Sequence, residues 1–409
     1  MTSRVAVPFL VAMMLLTGVC NTLLTKYQDM QCVRDCDADP NKRKLFNQPV
    51  LQTAQMFVGE MGCWLVIGIM TLYGRFFGAA AADAEYRPVN THETADIGPD
   101  ADEASDDDNG PKRGLLKGFG ITLLALPAIC DILGTTLMNA GLLLVAASIY
   151  QMTRGALVLF VGLFSVIFLR RHLFLFQWLA LIGVVTGVAV VGLAGAIWPD
   201  EKVRHAGEGA VSGDDGEALS DTARAIVGVL LIAGAQVFTA TQFVLEEWIL
   251  ENSPIEPIKV VGWEGLFGFL VTVGGMIVMH FIVGRTEAGR YGAFDMVEGW
   301  RQMTQYKPVW LTSLLIMISI GGFNFFGLSV TRSVSATSRS TIDTCRTLFI
   351  WVVSLGLGWE SFKWLQILGF AILVYATFLF NGIVQPPLKS LRPNEEVAPL
   401  LAEDPIEHP

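Results

Sequence analysis

The stretch S-I-Y-Q-M-T-R at residues 148–154 recurs in the second half of the chain as S-T-I-D-T-C-R at residues 340–346. Each copy lies inside a long apolar segment and ends on an arginine. A second match follows downstream, where W-L-A-L-I-G at 178–183 corresponds to W-L-Q-I-L-G at 364–369. The two halves of the chain are therefore predicted to be related membrane units.

The composition agrees with a membrane location. Hydrophobic residues make up 52% of the 409 residues and charged residues only 16%, whereas about a quarter of the residues of a soluble domain are charged. Apolar segments long enough to cross a bilayer are predicted at 6–25, 50–73, 119–142, 146–169, 174–197, 223–247, 257–283, 308–331, 336–357 and 363–383. We predict an all-α polytopic membrane protein with ten transmembrane helices.

The two units are predicted to be inverted relative to each other. Five segments lie in residues 1–197 and five in 223–383, and an odd number of spans reverses the second unit. Inverted repeats with ionisable groups at mid-depth are typical of secondary transporters. The acidic loop at 80–113 is predicted to be disordered, since its residues 92–109 hold eight carboxylates and no lysine or arginine.

The tail at 384–409 contains a candidate sorting signal. Glu396 lies four residues before Leu400 and Leu401, which is the acidic dileucine pattern that cytosolic clathrin adaptors bind on proteins of endosomes, lysosomes or vacuoles. Ten spans place both termini on one side of the membrane. The signal requires that side to be the cytosol, while lysines and arginines are too evenly distributed for the positive-inside rule to decide the orientation.

Six ionisable residues are predicted inside the spans, where a charge costs about 2.5–3.5 kcal/mol on insertion scales. They are Glu60, Asp131, Arg154, Glu264, Asp343 and Arg346. The spacing of the two arginines also relates Gln151 to Asp343, which places a polar residue and an arginine on one helix face in each half. Guanidinium binds carboxylate or phosphate in a bidentate manner. Arg154 and Arg346 are therefore predicted to bind an anionic or zwitterionic group, oriented by the two polar residues.

Two alternatives remain open. Arg154 could pair with Asp131 or Glu60 as a buried brace that fixes helix packing, and Arg346 could be held by Asp343 in the same way. With the arginines acting only as braces, Asp131, Glu60 and Asp343 would bind the substrate, which would suit a carrier of cationic amines or drugs. The other alternative is a membrane scaffold that transports nothing, although a scaffold has no need of buried charges.

Further polar residues of the spans are assigned to the same region. The carboxylates proposed to carry protons are Asp131, Glu60 and Glu264, because loss of hydration favours the neutral form of a carboxylate. The uncharged residues expected to line the substrate cavity are Asn21, Gln236 and Asn324. The pair Gly321-Gly322 is expected to break its span beside this cavity.

The sequence indicates neither an enzyme nor a resident cofactor or metal. It has no Gly-rich phosphate loop, no H-E-x-x-H motif and no His/Cys cluster. The expected partners are a small-molecule solute and the lipid bilayer, with a homodimer left open and no nucleic acid. Cys32 and Cys36 share the polar loop after the first span, and they would form a disulfide if that loop faces an oxidising lumen.

Six stretches of the chain carry a family resemblance. They are N-T-L-L-T-K (21–26), Q-M-F-V-G-E (55–60), S-I-Y-Q-M-T-R-G (148–155), Q-F-V-L-E-E (242–247), E-G-L-F-G-F (264–269) and F-N-F-F-G-L-S-V-T (323–331). They resemble the drug/metabolite transporter superfamily and, within it, solute carrier family 35, subgroup F. The resemblance implies the drug/metabolite transporter fold, with ten spans, cytosolic termini and alternating access. Relatives in family 35 exchange nucleotide sugars in the Golgi, and this subgroup is associated with lysosomal membranes.

These observations predict a secondary active transporter. It is expected to move a small organic solute, with an anionic or zwitterionic group, across a lysosomal or vacuolar membrane by alternating access. Golgi and mitochondrial membranes are the alternative locations.

Overall fold

The computed structural model describes residues 3–34, 36, 44–77, 118–142, 144–145, 150, 153–197, 218–286, 289, 292, 294–359 and 362–386. The described chain is mostly helical. Its helices are α1 (Ser3–Asp29), α2 (Pro49–Phe77), α3 (Ala125–Leu142), α4 (Leu157–Phe168), α5 (Leu175–Ile197), α6 (Ala218–Asn252), α7 (Pro257–Met279), α8 (Met296–Gln305), α9 (Lys307–Ser333), α10 (Ala336–Gly356) and α11 (Trp364–Phe380).

Each of the ten predicted apolar segments contains one of these helices. In the part of the chain that the structure describes, seven helices are long and apolar enough to cross a membrane: α1, α2, α3, α5, α6, α7 and α9. Helices α4 and α11 are apolar but shorter. Helix α10 has sufficient length, but it contains many hydroxyl and charged side chains and is much less apolar. Helix α8 was not predicted, because it is short and amphipathic.

The helix around Arg154 differs from the prediction. The segment 146–169 was expected to be continuous, but Gly155 and Ala156 form a turn between the helical residues Thr153-Arg154 and the start of α4 at Leu157. Gly155 packs so closely on α5 that a Cβ would lie 2.6 Å from Cγ1 of Val188. Arg154 therefore precedes a helix, whereas its counterpart in the second half lies within α10.

The expected break at Gly321-Gly322 is also wrong. Helix α9 is continuous from Lys307 to Ser333. A Cβ on Gly321 would lie 2.6 Å from the carbonyl oxygen of Gly59 in α2. The glycine is needed there because α9 and α2 approach closely, as small residues allow between membrane helices.

Helices of the two halves pack against each other. Helix α1 contacts α9, α3 contacts α6, α2 contacts α7, and α5 contacts α11. The contact between α5 and α11 is made through glycines, since a Cβ on Gly187 or Gly369 would lie 2.8 Å from the carbonyl oxygen of the other. Because helices from both halves alternate in this way, polar residues from both halves can reach one central space.

A small hairpin covers one end of the bundle. Strand β1 (Cys32–Arg34) pairs antiparallel with β2 (Lys44–Leu45). Cys32 is bonded to Cys36, so the structure contains the disulfide that the sequence left open. Nη2 of Arg34 lies 3.0 Å from Oε1 of Glu298 in α8. The hairpin and α8 therefore share one end of the bundle, which we call the disulfide face.

Candidate functional site

A polar cavity lies between α2, α3, α6, α7, α9 and α10. It contains about 270 Å³ of empty space, including the opening to solvent. Four carboxylates, one arginine and two side-chain amides line it: Glu60, Asp131, Glu246, Glu264, Arg339, Gln242 and Asn324. The helix pairs α3–α6 and α2–α7 each combine a helix of the first half with a helix of the second, so both halves of the chain line the cavity.

The arginine of the cavity forms a buried ion pair. Nη1 of Arg339 lies 2.5 Å from Oε2 of Glu246, and their side chains are only 3% and 2% exposed. Gln242, one turn earlier in α6, donates to the other carboxylate oxygen of Glu246 at 3.0 Å. The guanidinium also lies over the ring of Phe243 at 4.3 Å. Gly327 leaves room for it, because a Cβ there would lie 2.8 Å from Nε of the arginine.

The other three carboxylates lack such a partner. Glu60 accepts a hydrogen bond of 2.5 Å from Nδ2 of Asn324. Among the described residues, no lysine or arginine forms a salt bridge with Glu60, Asp131 or Glu264. Two buried atoms of the cavity lining also have no hydrogen-bond partner in the described chain, Oε1 of Glu264 and Nε of Arg339. The unsatisfied oxygen of Glu264 leaves an acceptor at the cavity, whereas Nε of Arg339 packs against Gly327 of α9.

This imbalance restricts what the cavity can bind. One guanidinium faces four carboxylates, and a buried charge without a counter-charge is strongly unfavourable. The three unmatched carboxylates need protons or a cationic ligand to be stable in this position. Chemically, the cavity is suited to an ammonium group or to the uptake and release of protons.

The arginines predicted from the repeat lie elsewhere. Nη2 of Arg346 lies 3.3 Å from Oδ2 of Asp343 in the same helix, and its guanidinium stacks over the ring of Phe323 at 4.8 Å. Gly18 of α1 permits this, since a Cβ there would lie 2.8 Å from Cδ of Arg346. Neither arginine lines the cavity, and the arrangement of Arg346 is the one that a buried brace would have.

The remaining predicted residues are divided between the cavity and helix contacts. The cavity includes Glu60, Asp131, Glu264 and Asn324 but does not include Asp343, Asn21 or Gln236. Asn21 accepts from Oγ of Ser319 at 3.4 Å across the α1–α9 contact, and Gln236 donates to the Ile232 carbonyl of its own helix at 3.3 Å. Gln151, the acidic loop, and the sorting residues Glu396, Leu400 and Leu401 lie outside the described residues.

Glu246 and Arg339 were not predicted as site residues from the sequence. Both occupy positions where a charge looks solvated, since Glu246 is next to the last residue of the predicted sixth span and Arg339 is in the first turn of the predicted ninth. The available signal was the stretch Q-F-V-L-E-E at 242–247, in which a glutamine lies one helical turn before a glutamate. It had contributed only to the family resemblance.

Comparison with known proteins identifies the relatives of this chain. Residues 116–262 match the family model described as nucleotide-sugar transporter. Solute carrier family 35 member F6 of Homo sapiens is 36% identical over 94% of this chain and 91% of its own length. An uncharacterized protein of Schizosaccharomyces pombe is 35% identical over 92% and 97%.

A solved structure described only as "Crystal structure of protein" has the same fold, with a TM-score of 0.55. It is 12% identical and covers 92% of this chain and 97% of its own. The curated relatives with established names are solute carriers and not enzymes. The chain therefore belongs to solute carrier family 35, as the resemblance of its sequence predicted, and it is an integral membrane protein that transports a small solute.

Proposed function

We propose that this protein is a secondary active carrier of small organic solutes that bear a protonated amine, which it exchanges for protons. The observation that carries this proposal is the excess of buried carboxylates over guanidinium in the central cavity. The solute's ammonium group binds among Glu60, Asp131 and Glu264. This reverses the preference for an anionic group that the repeat alone suggested.

Exchange follows from charge balance. An empty cavity with three bare carboxylates is unfavourable at membrane depth, so the empty carrier holds protons there. An ammonium group replaces those protons because both neutralise the same oxygens. Solute and proton therefore exclude each other, and this competition couples the movement of one to the opposite movement of the other.

The cavity is closed around its carboxylates in this conformation. The space among the lining side chains is about 10 Å³, which is room for roughly one water molecule. A solute therefore enters only when the surrounding helices separate, as alternating access requires.

Alternating access is proposed to use the five-plus-five inverted repeat, residues 1–197 and 223–383. In this repeat α1 corresponds to α6, α2 to α7, α3 to α9, α4 to α10 and α5 to α11. The contact between α1 and α9 therefore corresponds to the contact between α6 and α3, whereas the contacts α2–α7, α4–α10 and α5–α11 each join a helix to its own counterpart. All of these contacts are present. The contact pattern thus supports a pseudo-twofold arrangement around the cavity.

A second candidate function is transport of an anionic solute. It is supported by the match to the nucleotide-sugar transporter family model and by the equivalent places of Arg154 and Arg346 in the two halves of the sequence. In that case the arginines contact the substrate in a conformation that frees Arg346 from Asp343, and the carboxylates of the cavity carry only protons.

The proposed location is a lysosomal or vacuolar membrane with both termini in the cytosol. The disulfide between Cys32 and Cys36 supports an oxidising lumen on the disulfide face. The other end of the bundle, which has the α4–α5, α6–α7 and α9–α10 connections, is then cytosolic; we call it the termini face. Sorting through Glu396, Leu400 and Leu401 by a clathrin adaptor belongs to this proposal.

The test is flux into proteoliposomes with an imposed pH gradient. A panel of radiolabelled organic amines, nucleotide sugars and organic anions is offered to the wild type and to Asp131→Asn. We expect amine uptake that is driven by the gradient and reduced at least tenfold in Asp131→Asn. The matched control is Asp29→Asn, the same change at an exposed carboxylate at the end of α1, which should transport normally.

Other outcomes point to other functions. Uptake of an anion that is driven by the pH gradient and lost in Arg346→Gln would select the second candidate. Correctly folded wild-type protein that moves none of the panel would contradict the amine proposal and favour the scaffold.

A further inference from the structure

A cluster of charges closes the termini face of the bundle. Nη2 of Arg171, in the α4–α5 connection, lies 3.2 Å from Oε1 of Glu247 and also contacts Glu251, one turn further along α6. The second oxygen of Glu247 accepts the backbone N–H of Ala336 at 3.0 Å. These four residues, the closing cluster, join the α4–α5 connection, α6 and the first turn of α10.

Neighbouring contacts strengthen this closure. Nη1 of Arg332, at the end of α9, donates to the carbonyl of Ile255 in the α6–α7 connection at 2.8 Å. Oγ of Ser165 in α4 and Oγ1 of Thr337 in α10 are 3.0 Å apart. The three connections of this face are therefore held together around the beginning of α10.

The closing cluster and the cavity meet at two adjacent residues of α6. Glu246 binds the guanidinium of Arg339 inside the cavity, and Glu247 binds Arg171 and the N–H of Ala336 outside it. Consecutive residues of a helix point in different directions, about 100° apart. Both carboxylates nevertheless bind the first turn of α10, because their partners Arg339 and Ala336 both belong to it.

We propose that Glu246 and Glu247 are positioning residues that couple occupancy of the cavity to opening of the termini face. The inference rests on the proposed function, since the occupant is a solute with an ammonium group. The ammonium group binds among Glu60, Asp131 and Glu264, which line the same cavity as Glu246, and its charge there competes with that of Arg339 for Glu246. Release of Arg339 frees the first turn of α10, which weakens the contact of Glu247 with Ala336 and separates α10 from Arg171.

The disulfide face has a corresponding but different contact. Lys26, near the end of α1, lies over the ring of Trp359 in the α10–α11 connection at 5.2 Å. In the proposed repeat, α1 corresponds to α6 and the α10–α11 connection corresponds to the α4–α5 connection. The basic residue of the disulfide face is thus in the helix and that of the termini face is in the connection, so the two closures differ, and the described carboxylate network that joins cavity and closure is on the termini face.

The test uses a reporter thiol and needs no transported solute. Ala128→Cys places a cysteine in the cavity lining, in a background in which the four free cysteines are replaced by serine and the disulfide is kept. The protein is reconstituted in sealed liposomes, and orientation is determined by protease cleavage of a tag at the C-terminus. Labelling by a membrane-impermeant methanethiosulfonate is timed from each face.

We expect slow labelling from the termini face in the reporter protein, and labelling about tenfold faster in Arg171→Gln, Glu247→Gln and Glu246→Gln. The matched control is Arg170→Gln, at the exposed neighbouring arginine, which should leave the rate unchanged. The exchanged pair Glu246→Arg with Arg339→Glu should restore slow labelling. This rescue distinguishes loss of the ion pair from misfolding.

The outcomes separate the coupling from the transported solute. Unchanged labelling in Arg171→Gln and Glu247→Gln would show that the closing cluster does not seal this face. Faster labelling in those two variants but not in Glu246→Gln would overturn the coupling. Failure of the amine flux assay with the expected labelling pattern would overturn the substrate class and leave the closure and its link to Glu246 established.

Discussion

Replacing Arg339 by methionine is expected to destabilise the protein more than replacing its partner. Arg339 has a side chain that is 3% exposed, pairs with Glu246 at 2.5 Å and stacks on Phe243 at 4.3 Å. Arg339→Met keeps a flexible apolar side chain of similar length but leaves four carboxylates without a guanidinium. Glu246→Gln instead leaves three carboxylates facing the guanidinium, which is a better balance of charge.

The magnitude follows from the burial of the pair. Removal of one partner of a buried ion pair costs about 3–5 kcal/mol of folding stability. We add nothing for the lost cation–π contact with Phe243, because the ion pair and this contact are made by the same side chain and their energies are not additive. We expect about 3–5 kcal/mol for Arg339→Met, and at least about 1 kcal/mol less for Glu246→Gln. The double variant should be closer to the wild type than Arg339→Met alone, because it removes the pair together.

The assay is thermal unfolding in detergent, followed by tryptophan fluorescence. At about 2 °C or less per kcal/mol for a chain of this size, Arg339→Met should lower Tm by roughly 5–10 °C. The control is Arg301→Met in α8, since Arg301 is 57% exposed and pairs with Glu298 at 3.6 Å, which should contribute less than about 1 kcal/mol. Equal losses in Arg339→Met and Glu246→Gln would refute the charge-balance reasoning. So would an Arg339→Met loss no larger than that of the control.

Two further predictions concern the scaffold of the site. Gly321→Ala should destabilise by about 1–3 kcal/mol, because the added Cβ meets the backbone of α2, whereas Gly68→Ala, with open space around it, should be neutral or stabilising in the same thermal assay. Cys32→Ser should lower stability by about 2 kcal/mol, the entropy of the short ring that the disulfide closes. Dithiothreitol should lower the Tm of the wild type by the same amount and leave that of Cys32→Ser unchanged, and a drop in both would assign the effect to another part of the chain.

Apolar length and isolated charge were sufficient to predict most of this architecture. The helical segments follow from hydropathy, although only seven of the helices in the described chain are long and apolar enough to cross a membrane. Glu60, Asp131 and Glu264 were singled out because a charge at membrane depth is costly, and they do line the cavity. What failed was the assignment of charges near predicted span ends. Helix α6 extends to Asn252, beyond the apolar segment, so Glu246 lies inside the bundle.

The repeat pointed to residues that do not line the cavity. The sequence match makes Arg154 and Arg346 equivalent positions of the two halves. Equivalent positions have the same environment, however, only if both helices have the same local structure. Close packing of Gly155 on α5 interrupts the helix after Arg154. In contrast, Asp343 and Phe323 hold Arg346 within α10. Tertiary packing of this kind leaves no signal in the spacing of the polar residues.

Cavity residues that have no counterpart in the other half of the chain can favour one conformation of the carrier over the other. In an inverted repeat the two halves exchange roles between conformations, so symmetric contacts favour both conformations equally. The position that corresponds to Arg339 in the first half is Ala147, so the guanidinium of the cavity comes from one half alone. A ligand shifts a conformational equilibrium only through its different affinity for the two states. In the proposed mechanism, solute and proton have such a difference at the carboxylates of the cavity. Within the described chain, Glu246 is joined through Arg339 to the first turn of α10, which the closing cluster binds on the termini face.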